Sequence, residues 1–107
     1  MQAKHHMPGP WAVNQSSPDA DQDKVSIEVG DGVYFICQVD GGMHQMANAR
    51  LIAVAPEMFD DLALAAQTLR RYEALHRAKN TDDSFKKAEV NAELASRFER
   101  TIAKATS

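Results

Sequence analysis

The sequence predicts an α+β fold in which a small antiparallel sheet comes first and helices come last. Three observations carry that prediction. β-Branched and alternating segments are confined to residues before 40, helical apolar periodicity to residues after 43, and Pro56 interrupts the helical half near its start. A chain of 107 residues supports one modest core. Residues 1–10 are therefore expected as a flexible lead-in and residues 11–107 as a single α+β domain.

Taken in order, residues 1–10 hold two prolines, a glycine and adjacent His5 and His6 without periodicity. Trp11-Ala12-Val13 reads as a short strand anchored by the indole, with Trp11 and Val13 on one side. Asn14 to Lys24, rich in Ser, Asp, Asn and Gln, reads as a surface loop. Val25-Ser26-Ile27-Glu28-Val29 alternates apolar and polar residues, and Val33 to Val39 is β-branched and aromatic, so both are predicted strands joined through Gly30-Asp31-Gly32.

Side-chain period fixes the candidate registers. A two-residue Asp31-Gly32 turn pairs Ile27 with Ile36 and Phe35 with Glu28 and mixes the faces. A three-residue loop with Gly32 left-handed pairs Val29 with Val33, Ile27 with Phe35 and Val25 with Cys37, which makes one face wholly apolar and is preferred. The other face then carries Ser26, Glu28, Tyr34, Ile36 and Gln38, where Tyr34 and Ile36 are large groups in need of a cover.

Asp40-Gly41-Gly42 ends the sheet, and Met43 to Ala55 is predicted as a short helix. Pro56 lacks a backbone donor and suits the opening of a second helix. Met58, Leu62, Ala65, Leu69 and Tyr72 then recur at steps of four and three. Asn80 suits a left-handed stop, and Thr81 or an aspartate suits the next N-cap. The last helix runs to about Ala105, with Phe85, Ala88, Ala92, Phe98 and Ile102 along its stripe. Two helices of similar length and a short connection predict an antiparallel hairpin whose alanines permit close approach.

Composition narrows the chemistry. The hydrophobic share of 44% and charged share of 25% are those of a globular protein. Cys37 is the single cysteine, which excludes an intrachain disulfide, and no run approaches the roughly 20 apolar residues of a membrane span. The expectation is a soluble cytosolic protein, without a membrane partner. Net charge is −3, with an acidic first half and a slightly basic second half, and no basic stripe points to duplex nucleic acid.

No catalytic constellation emerges. Cys37 falls on the predicted core face, His5, His6, His44 and His76 lack ligand spacing, and Asp60-Asp61 and Asp82-Asp83 fall at helix starts where capping accounts for them. Neither a metal nor a cofactor is expected, and binding is the expected occupation. Trp11 either plugs the core between sheet and helices or offers a stacking face for a base. Asn48 and Arg50 either sit on the exposed side of their helix or recognise a base and a phosphate. Arg70 and Arg71 either complement the helix dipole or add a second phosphate contact. Tyr34 and Ile36, together with any unused side of the long helices, suggest a surface covered by another subunit, which predicts a homo-oligomer, most simply a dimer.

Pro8-Gly9-Pro10-Trp11 and the later Ala47-Asn48-Ala49-Arg50-Leu51-Ile52-Ala53-Val54-Ala55-Pro56-Glu57-Met58 also carry a resemblance. They resemble a group of small phage and prophage proteins that open on His-Thr-Pro-Gly-Pro-Trp and continue with Ala-Asn-Ala-Arg-Leu-Ile-Ala-Ala-Ala-Pro-Glu-Leu. Met7 replaces the threonine and Val54 one alanine. The resemblance implies a viral accessory protein working in the cytoplasm of an infected bacterium. The layout is also similar, in architecture alone, to phage sponges of the anti-Thoeris type. The leading expectation is thus non-enzymatic binding that counters bacterial defence by sequestering a nucleotide signal, with Trp11, Asn48 and Arg50 as contacts. The alternatives are direct inhibition of a host defence protein, in the manner of an anti-CRISPR, and an assembly role.

Overall fold

The computed structural model describes residues 6–15, 23–29, 32 and 34–107. Three strands, β1 (Trp11–Asn14), β2 (Val25–Val29) and β3 (Phe35–Val39), are followed by three helices, α1 (Gln45–Ala53), α2 (Ala55–Ala78) and α3 (Asp82–Thr106). The α+β class and the sheet-first order predicted from the sequence are therefore those of the protein. The chain falls into two compact units, residues 1–58 and residues 59–107.

In the first unit the strands form an antiparallel sheet in the order β1-β2-β3. One face packs against α1, where Val25, Ile27 and Val39 meet Ala49 and Ala53, with Trp11, Val13, Ile36, Cys37, Met46 and Ile52 around them. Alanines at 49 and 53 bring the helix axis close to the sheet, so the core is thin. Gln45 ties the start of α1 to the sheet, its side-chain amide donating to the carbonyls of Asp23 (2.7 Å) and Val39 (3.1 Å).

The predicted hairpin register is corrected. Val25 pairs with Val39, Ser26 with Gln38 and Ile27 with Cys37, but Glu28 pairs with Phe35. Ile36 is thus an extra residue in a β-bulge. Strict alternation allows only one of Ile36 and Cys37 to face the core; the bulge removes that restriction, and both pack there. Phe35 is correspondingly turned away and 50% exposed, where the sequence placed it opposite Ile27. Gly32 is left-handed, as predicted, with φ of 80°. The predicted Val29–Val33 pair lies outside the described residues; the Val29 amide donates to the carbonyl of Tyr34.

The second sheet face is also less wet than its composition suggests. Ser26 is fully buried and Glu28 nearly so. Glu28 accepts from the Asn14 side-chain amide (2.9 Å), and the Ser26 hydroxyl lies 3.2 Å from the other Glu28 oxygen and 3.3 Å from the Asn14 carbonyl. These bonds replace the water that a buried carboxylate and hydroxyl would otherwise need.

Val54 closes α1 and Pro56, buried, follows in the first turn of α2. The Met58 amide donates to the Val54 carbonyl, so a helical hydrogen bond spans the proline.

In the second unit α2 and α3 form the predicted helical pair. Asn80 is left-handed with φ of 55°, and Thr81 is the N-cap of α3, its hydroxyl accepting from the Ser84 amide at 3.1 Å. Ala66 on α2 and Ala88 and Ala95 on α3 are buried, and Arg70 of α2 bonds Ser96 and Glu99 of α3. Among the described residues no helix is long and apolar enough to cross a membrane.

Candidate functional site

The binding residues suggested by the sequence divide between the two units. Trp11, Asn48 and Arg50 belong to the first, Arg70 and Arg71 to the second. Their surroundings differ in kind.

Trp11 is half-buried and packs against the sheet–helix core, with its indole nitrogen donating to the Met7 carbonyl (3.1 Å) and the His6 ring meeting it edge-on at 6.2 Å between centroids. Its bulk serves the core. The preceding turn is equally engaged: a Cβ at Gly9 would stand 3.0 Å from the Cβ of Pro56. The Pro-Gly-Pro-Trp opening and the Ala-Pro end of the later motif therefore touch, and only glycine leaves room for the proline ring.

Asn48 and Arg50 are exposed on α1, to either side of the fully buried Ala49. Helical spacing puts Asn48, Leu51 and Val54 on the outward side, with Arg50 at its edge. Leu51 stands at the centre of that side and is 59% exposed. The apolar motif in which these residues lie thus splits: Ala49 and Ala53 hold the sheet, while Leu51 and Val54 face out. Apolar character alone does not reveal that division, and Leu51 was missed as a candidate; periodicity anchored on Ala49 and Ala53 is the signal that finds it.

Arg70 has a different occupation. Its guanidinium donates to both Glu99 carboxylate oxygens (2.7 and 3.2 Å), to Glu73 (2.9 Å) and to the Ser96 hydroxyl (3.0 Å), so it clamps α2 to α3. Arg77 donates to the second oxygen of Glu73. The Arg70 hydrogen bonds hold the Glu73 and Glu99 carboxyls below the usual carboxylate range and raise the guanidinium's own pKa. A bidentate pair of this kind occupies the donors that a phosphate would use. Arg71, next to it, is exposed.

Cys37 lies on the core side of β3, where burial raises its thiol pKa and thereby suppresses the reactive thiolate. Among the described residues no group of three or more His, Cys, Asp or Glu is placed to hold a metal ion. Surface depressions such as that lined by His76, Lys86, Lys87, Val90 and Asn91 are shallow and open.

The family described as Salmonella phage P22 protein Y8K6 matches residues 1–107. The chain belongs to that family. The match covers both units and both motifs of the P22 Y8K6 family member, so its phage character rests on the whole length of the chain. No curated protein and no solved structure shows a match to it.

Proposed function

We propose that this phage-family protein acts in the infected bacterium by non-enzymatic binding, and counters bacterial defence by direct contact with a protein of the defence system. The outward side of α1 carries the proposal. Leu51, more than half exposed, is flanked by the Asn48 amide and the Arg50 guanidinium on a convex helix. Small ligands are held in concave sites that bury most of their surface. An apolar centre with an amide and an arginine at its rim suits a protein surface instead. Sequestration of a nucleotide would need a cavity, which one convex helix does not form by itself.

The test is plaque formation by a defence-sensitive phage on bacteria that carry a defence system and express this protein. Wild-type protein raises plaquing on at least one such strain. Leu51→Asp and Arg50→Glu abolish the gain while leaving the melting temperature unchanged, because both positions are exposed. Variants that protect as well as wild type refute the role of α1. Calorimetric binding of a cyclic or ADP-ribose-derived nucleotide at micromolar concentration refutes the protein-contact reading in favour of sequestration.

A further inference from the structure

The outward side of α2 is apolar where a solvated helix would be polar. Leu64, Tyr72 and Leu75 are 61%, 50% and 55% exposed. Together with Thr68 they recur at steps of four and three and fall within an arc of about 80° at about 100° per residue. Asp61 lies on the same arc at one end, and Lys79 stands at the other in the turn directly after α2, its amide bonded to the His76 carbonyl; the segment between them is about 27 Å long at 1.5 Å per residue. Ala66 and Arg70, which serve the contact with α3, are on the opposite side. Asp61, Leu64, Ala65, Thr68 and Leu69 line a shallow open depression on this face.

Charge identifies the occupant. Neither Asp61 nor Lys79 belongs to an ion pair among the described residues. Position 70 is midway between them, and it is also midway between Thr68 and Tyr72 and between Ala65 and Leu75. A second copy of the helix laid antiparallel, with a two-fold axis level with residue 70, therefore brings each Asp61 to the partner's Lys79. The same operation sets Leu75 beside Leu64 and Ala65 of the other copy, with Thr68 and Tyr72 at the axis. A parallel arrangement would bring aspartate to aspartate and lysine to lysine. An isologous interface must be self-complementary, and this face is so only in the antiparallel sense.

We propose that the Asp61–Lys79 face of α2 is a homodimer interface, formed by two antiparallel α2 helices about a two-fold axis. The proposal concerns an element other than the outward side of α1 and stands independently of the function assigned there. Of the surfaces the sequence offers for a subunit contact, this is the unused side of a long helix; Ile36, one of the two sheet groups thought to need a cover, packs in the core.

Sedimentation equilibrium of the full chain from about 1 to 100 µM tests it. Wild-type protein is expected to dimerise in this range. Leu75→Glu, a change at an exposed position, gives monomer throughout with an unaltered circular dichroism spectrum. Asp61→Lys and Lys79→Glu each weaken the dimer about tenfold, since each reversal turns both end contacts of the dimer from attractive to repulsive. An equimolar mixture of these two variants recovers wild-type affinity as a heterodimer, and so does the double variant as a homodimer. A wild-type monomer at about 100 µM overturns the proposal. So does a dimer indifferent to Leu75→Glu, or a double variant that dimerises no better than the single ones, which is the behaviour of parallel helices or of another interface.

Discussion

The bulge at Ile36 ranks two neighbouring side chains in an order that alternation reverses. Exchanging Ile36 and Phe35 separately for threonine tests that order while placing a β-branched side chain suited to a strand at either position. Ile36 packs against the buried cluster of Val25, Ile27, Val39, Ala49 and Ala53. Ile36→Thr withdraws two carbon groups from that surface, about 1.6 kcal/mol at about 0.8 kcal/mol each. The incoming hydroxyl, set against apolar neighbours, adds about 1 kcal/mol, for a total of about 2–3 kcal/mol. Phe35 is half exposed and opposes Glu28, so Phe35→Thr should cost about 1 kcal/mol. Without a bulge Phe35 would face Ile27 inside the core, and its loss would cost about 3–5 kcal/mol. Trp11 is the sole tryptophan and packs on this core, so urea unfolding followed by its fluorescence reads the first unit. Compared at equal m-values, a larger loss for Phe35→Thr than for Ile36→Thr refutes the bulged register.

Three further outcomes follow from the packing. Thr81→Ala removes the acceptor for the Ser84 amide and should cost α3 about 1 kcal/mol, whereas Thr81→Ser retains the cap; thermal melts by circular dichroism compare them. Glu73 and Glu99 titrate below their usual value of 4.5 because Arg70 bonds their ionised forms. Depressed carboxyl pKa values mean stability that is present above the unfolded pKa and lost as pH falls through the folded ones. The melting temperature of the helical pair should therefore hold above about pH 5 and drop below the ordinary carboxylate range, and Arg70→Met should flatten that acid limb; an equally steep limb in the variant would place the proton uptake elsewhere. Gly9→Ala forces a methyl group to 3.0 Å from the Pro56 ring and should destabilise the first unit by about 1–3 kcal/mol. Pro56→Gly removes the ring, so the pair in a double-mutant cycle should cost less than the sum of the single changes.

Local signals account for the parts of the fold that the sequence determines by itself. Period-two and helical patterning, the proline at 56, the left-handed Asn80 and the Thr81 cap act over a few residues, and the elements they predict lie within a residue or two of those observed. The phage origin implied by the two motifs is likewise the family to which the chain belongs. The register of β3 differs from the predicted one by two residues, Cys37 lying opposite Ile27 instead of Val25. One residue of the shift is present already where the Val29 amide bonds the Tyr34 carbonyl, and the bulge at Ile36 adds the other, which local alternation does not encode. Ser26 and Glu28 lie on the predicted second face but are buried there, because their hydrogen bonds to one another and to Asn14 replace water.

Among the candidate site residues, sequence identified the chemistry that each side chain offers but not the partner that uses it. Arg70 is suited to a carboxylate or a phosphate, and Glu99 is brought to it across 29 positions by the packing of α3 on α2. Trp11 is suited to stacking or to a core, and α1 provides the core. Asn48, Arg50 and Leu51 acquire a common outward side only once Ala49 and Ala53 are committed to the sheet. Backbone elements follow from neighbours along the chain; register, burial and the fate of each arginine follow from neighbours in space, which tertiary packing alone supplies.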